Sequence, residues 1–182
     1  MQNCAHCLAA RTQPVAGEGN VWRVISGAAA NDVRFAPVDV HEAVTLGRGD
    51  WIEFATSSDF EVIGGGPLLL VQVLVGQGSS AALLGDPSMV QAVPMEQYRS
   101  DYGSAVPDGY RDDAATSMLD DATVVGFHAI GETGYGAAHL PIVGGFHAIS
   151  DTRPFATMCH GYGVYTSHAY PCGLDARVLP AP

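Results

Sequence analysis

Residues 59–76 read DFEVIGGGPLLLVQVLVG. The first part alternates, with Phe60 and Val62 set against Glu61 and Ile63, the period of an extended strand with one covered face. Gly64, Gly65 and Gly66 followed by Pro67 then mark a stop. From Leu68 the run is apolar on both faces apart from Gln72, the pattern of a central strand covered on each side. It falls short of the roughly 18 residues of a membrane-spanning helix, so no membrane insertion is expected.

Working outward, the same short-run pattern continues in both directions. VWRVIS (21–26) alternates Trp22, Val24 and Ser26 against Val21, Arg23 and Ile25. VRFAPV (33–38) follows a Gly-Ala-Asn-Asp turn. EAVTL and DWIEFAT flank Gly47-Arg48-Gly49-Asp50, which suits a short hairpin connection. That turn also contains the Arg-Gly-Asp tripeptide read by some adhesion receptors, although such a turn needs only conformational reasons. Pro94 ahead of MEQYRSDY predicts a single short helix near 94–99, with proline at its first position. Residues 103–121 are the most polar part and read as a loop with one weak strand. The expected fold is all-β: a β-sandwich of two mainly antiparallel sheets plus that helix. A segment 1–20 carrying a C-x-x-C precedes one β-rich domain over 21–182.

Composition excludes some partners. The chain of 182 residues has formal net charge −11, contains no lysine, and has 22 glycines. A polyanion finds no basic patch, so nucleic acid is not an expected partner. The first residues, MQNCAHCLAARTQ, lack the basic start and apolar stretch of a secretory signal. That leaves a cytoplasmic chain, or a mature or excised piece of an exported one.

Two constellations carry candidate chemistry. Cys4, Cys7, Cys159 and Cys172 permit three pairings if all are oxidised; zinc ligation and free thiols are the alternatives. The pentapeptide GFHAI occurs at 126–130 and again at 145–149, each copy followed by an acid and a threonine. Read as strands, the two copies bracket a third over Tyr135–Leu140, giving a three-strand meander with no ligand. Read as ligands, His128, Glu132, His139 and His147 outline a cupin-like metal enzyme. The histidine spacing supplies only half of that motif, so no catalytic residue, cofactor or metal is assigned. Tyr98, Tyr102, Tyr110, Tyr135, Tyr162, Tyr165 and Tyr170 offer aromatic surface. Tyr162, Tyr165 and Tyr170 are the foremost candidates for ligand contact.

Several segments together resemble one family. GDPSM (85–89), PMEQY (94–98) and GGFHAISDTRPFATMCHGYGVYTSHAYPCGL (144–174) are similar, in order, to motifs of the domain named after the IgGFc-binding protein, including its bacterial extracellular members. The resemblance covers roughly Trp22 to Leu174. It departs after Tyr102 and at Cys159, His160 and Cys172, where a local Cys159–Cys172 cross-link would close the returning tail onto its strand. The resemblance implies a non-enzymatic module for binding, adhesion or assembly, at the cell surface or outside it. A protein or carbohydrate ligand of unspecified identity and self-association through sheet edges are the implied partners.

Overall fold

The computed structural model describes residues 4–12, 19–80, 82–109, 111–114, 118–119, 122–123 and 125–173. Its first seven strands are β1 (Cys4–Ala9), β2 (Asn20–Ser26), β3 (Asn31–Ala36), β4 (Val44–Leu46), β5 (Trp51–Thr56), β6 (Phe60–Leu74) and β7 (Ser88–Gln91). They form one antiparallel sheet in the order β4-β3-β6-β2-β5, with β1 and β7 also paired to β6. The ten that follow are β8 (Arg99–Val106), β9 (Arg111–Ala114), β10 (Met118–Leu119), β11 (Ala122–Thr123), β12 (His128–Ala129), β13 (Gly136–Ala137), β14 (Leu140–Ile142), β15 (Gly145–Phe155), β16 (Met158–Gly163) and β17 (Thr166–Pro171). They build the sheets β11-β10-β15-β8 and β14-β9-β16-β17 and the ribbon β12-β13. The chain is all-β and its sheets pack as in a β-sandwich.

The three glycines do not end a strand. β6 runs for 15 residues straight through them. Its first part pairs with β1 and β3, its second with β2 and β7. Glycine is what permits the bend: a Cβ on Gly64 would lie 2.8 Å from both the Gly66 carbonyl oxygen and Leu68 Cδ1. The side chain of Asn31 satisfies the backbone groups freed there, accepting from the Gly66 N–H and donating to the Gly66 and Pro67 carbonyls.

Nor is Gly47–Asp50 a hairpin. The turn closes locally, the Asp50 N–H donating to the Gly47 carbonyl at 3.1 Å. However, β4 pairs with β3 and β5 with β2, so four residues connect the two ends of the strand order. A flat sheet would separate those edges by about 19 Å, beyond the comfortable reach of the turn, so the sheet has to curl. Phe35 on β3 and Phe54 on β5 confirm it, their ring centroids meeting at 5.5 Å across the concave face. With Trp22 and Phe60 these rings form the centre of the main core, which also takes in Cys4 and Cys7. Within segment 1–20, β1 pairs with β6 as a strand of this sheet.

The short helix expected near 94–99 is a single 3₁₀ turn, Met95–Gln97, with Pro94 as its N-cap instead of its first residue. Two further expectations change. The polar stretch 103–121 carries the end of β8, then β9 and β10, because Tyr102, Ser104 and Val106 alternate inward with small residues between. The twin GFHAI copies do not join one meander. The first lies in the ribbon, with His128 opposite Ala137, and the second opens β15, with His147 opposite Ser104.

Candidate functional site

The cysteines pair locally, Cys4 with Cys7 and Cys159 with Cys172, at Cα separations of 6.0 and 6.2 Å. The second bridge ties β16 to the residue just after β17, within a small core of Val106, Ile142, Cys159 and Tyr170. The three candidate contact tyrosines separate. Tyr162 is buried and its hydroxyl meets Thr12 Oγ1 at 3.0 Å. Tyr170 is half-buried and donates to the Ala105 carbonyl. Tyr165, at the β16–β17 turn, is 76 % exposed. Tyr110 lies outside the described residues.

Buried polar groups explain the one polar letter in the central run. Gln72 is fully buried. Its amide donates to Thr12 Oγ1 at 3.2 Å and to the Asn20 carboxamide oxygen, and Tyr162 completes this network through Thr12. The motif glycine Gly85 packs on the same tyrosine: its N–H donates to the Gly163 carbonyl at 2.8 Å, and its φ of +99° is one that side chains resist. Ser167 then donates to the Asp86 carbonyl, so the GDPSM and GYGVY segments meet along one seam.

A cleft of about 390 Å³ opens beside the ribbon. Phe127, Ile130 and Tyr135 line it from the ribbon, Tyr98 from the PMEQY segment, and Asp151, Arg153 and Phe155 from the end of β15. The ribbon is anchored by buried Ile130, Ala137 and Ala138, and closed by the Ile130 N–H donating to the Tyr135 carbonyl. Phe127 remains 49 % and Tyr135 37 % exposed. Tyr135 leans edge-on against His6, which itself contacts the buried carboxylate of Glu61. Tyr98 has its phenol pushed far above the usual range, first by burial and then by Tyr102, Tyr135 and Glu96 nearby, so it stays neutral. Tyr102 Oη donates to the Phe155 carbonyl and accepts from the Arg99 N–H, which holds the two cleft-forming segments together.

The four histidine-set residues also divide. His128 contacts Asp59 through Nε2 and Oδ2, and its ring stacks on His139 with centroids 5.6 Å apart. Glu132 is exposed in the ribbon turn. His147 donates from Nε2 to the Val143 carbonyl. The cupin-like constellation is thus not assembled, and Asp59 takes the place expected of Glu132. Nothing in the sequence flagged Asp59: a carboxylate ahead of a strand reads as a turn residue. His139 has its pKa lowered, chiefly by burial, with Asp59 opposing and His128 and Arg11 adding to the effect.

Among known families, residues 7–161 match the one described as IgGFc binding protein. The chain belongs to that family. No curated protein and no solved structure gave a match. For an IgGFc-binding domain, the β-rich fold and the two disulfides fit a binding module of extracellular type. No helix among the described residues is long and apolar enough to cross a membrane. The cleft then gains weight, because segments that carry the family resemblance, PMEQY and the Pro154-Phe155 pair, form part of its wall.

Proposed function

We propose that this IgGFc-binding domain is a non-enzymatic module, displayed outside the cell, that grips a segment of a protein ligand in the cleft between the ribbon and the end of β15. The observation that carries the reading is the pair of partly exposed aromatic rings, Phe127 and Tyr135, facing a cavity with few polar groups. Apolar and aromatic lining with a small number of charged positions, here Asp151 and Arg153, suits protein side chains. Sugars need a denser set of hydrogen-bonding side chains. The family description points to the Fc part of an antibody as the first ligand to try; adhesion or assembly on a surface is the wider role we infer.

The reading is tested by surface plasmon resonance on the whole chain, with immobilised Fc fragment, a random peptide library and a glycan array as three arms. Fc or a selected peptide should bind, and Phe127→Ser and Tyr135→Ser should each weaken it by about 10-fold or more, as for buried aromatic anchors. Glycan binding alone, or protein binding unaffected by both substitutions, would overturn the proposal. Self-association is tested separately by light scattering at high concentration, where a monodisperse monomer counts against assembly.

A further inference from the structure

We propose that Asp59, His128 and His139 bind a divalent transition-metal ion, zinc by choice of donors, which staples the β12–β13 ribbon to the main sheet. Each residue offers one ligand atom, and the three atoms lie within 4.8 Å of one another. Zinc holds nitrogen and oxygen donors at about 2.0–2.2 Å, which sets them near 3.4 Å apart. Bringing the widest of these separations to that value takes a ring movement of at most about 1.5 Å, while the His128–Asp59 contact opens to admit the ion.

A plain histidine–aspartate pair accounts for two of these residues and not the third. It leaves Nε2 of His139, a buried atom, with no hydrogen-bond partner among the described residues. Such an atom is costly unless something meets it. A shared ion would satisfy all three donors at once. Asp59 already has the orientation a ligand needs, since its Oδ1 accepts the Arg11 N–H at 2.6 Å and Oδ2 is thereby turned toward the histidines. Orientation of a ligand carboxylate by an outer hydrogen bond is typical of metal sites. Both histidines come from the ribbon and its exit, while Asp59 directly precedes β6. The ion would therefore bridge residues far apart in sequence. His128 is 41 % exposed at its side chain, which gives an ion access from solvent.

Two nitrogens and one oxygen favour zinc over magnesium or calcium, which prefer oxygen alone. Three protein donors leave a fourth position for water or a ligand group. Because the ribbon also supplies Phe127 and Tyr135 to the cleft, the ion would fix that wall, but the site stands or falls independently of what the cleft binds.

The experiment uses tag-free whole chain, stripped with chelator and titrated with Zn²⁺ by calorimetry, with Co²⁺ as a spectroscopic substitute. One equivalent per chain should bind, Co²⁺ should show the visible absorption of a four-coordinate ion, and Zn²⁺ should raise the thermal midpoint. Asp59→Asn, which keeps its size and the Arg11 contact, and His139→Gln should each weaken binding by about 100-fold. His41→Gln, in a loop between β3 and β4, should leave it unchanged. Sub-stoichiometric binding to the parent chain overturns the proposal, as does retention of the ion by both folded variants or its equal loss in His41→Gln. Should His139→Gln fail to fold, Asp59→Asn and the midpoint shift decide alone.

Discussion

Replacing Cys172 by serine opens the Cys159–Cys172 bridge with little change in packing. Cys159 is buried and keeps its place beside Ser104 Oγ, at 3.2 Å, while Cys172 is half-buried. The backbone bond from the Cys172 N–H to the Thr157 carbonyl also survives. What is lost is the constraint on the unfolded chain. The bridged residues are 13 apart in sequence, for which loop-closure entropy gives about 3 kcal/mol. Against the roughly 5–15 kcal/mol typical of a domain, that is a large share. Urea unfolding reads it directly. Trp22, fully buried in the main core, reports exposure through its fluorescence. With a slope of about 2 kcal/mol per molar urea, the midpoint should fall by about 1.5 M at unchanged slope. A midpoint within about 0.3 M of the parent would refute the argument. So would peptide mapping of the unreduced parent that linked Cys159 to Cys4 or Cys7.

Other expectations follow from the same geometry. In Gly85→Ala the new Cβ would sit 2.8 Å from the Val75 carbonyl oxygen and 3.2 Å from Tyr162 Cδ1, at positive φ. Differential scanning calorimetry should show a loss of about 2–3 kcal/mol, or roughly 5–10 °C, and an unchanged midpoint would contradict the contact. Gln72→Leu removes the donor shared by Thr12 and Asn20 and should cost about 1–3 kcal/mol in chemical denaturation; a gain in stability would mean the network is not formed. His160 is held to a pKa of about 3 by burial, with His139 and His168 adding to the effect, against 6.5 in an unfolded chain. The unfolded state takes up the proton first, so stability is complete above about pH 6.5 and falls as pH drops toward 3. Between pH 7 and 5, with chelator present, His160→Gln should lose about 2 kcal/mol less than the parent; parallel curves would sink the assignment.

Much of the fold is legible in local patterns. β2 follows the alternation of Trp22, Val24 and Ser26, and the apolar run from Leu68 is central, with β2 on one side and β7 on the other. Motif residues were informative in a different way: Gly85, Tyr162, Tyr98 and Phe155 come from segments that carry the family resemblance, and Gly85 packs on Tyr162 while Tyr98 and Phe155 line one cleft. The metal-ligand candidates were half legible. His128 and His139 stand out by type, but Asp59 is drawn to them only by the placing of the ribbon against the β5–β6 turn.

Residue order along the chain therefore determined the strands with clear alternation, such as β2, and which of their faces are apolar, because those depend on side chains two positions apart. It did not determine that β6 passes through its glycines or that 103–121 carries the end of β8, then β9 and β10. Pairing was decided elsewhere. Two identical GFHAI segments enter different sheets, and a four-residue turn joins opposite edges instead of neighbours. A strand's hydrogen bonds are made by backbone groups that every residue shares, so the choice of partner falls to the curl of the sheet and to the core that closes inside it.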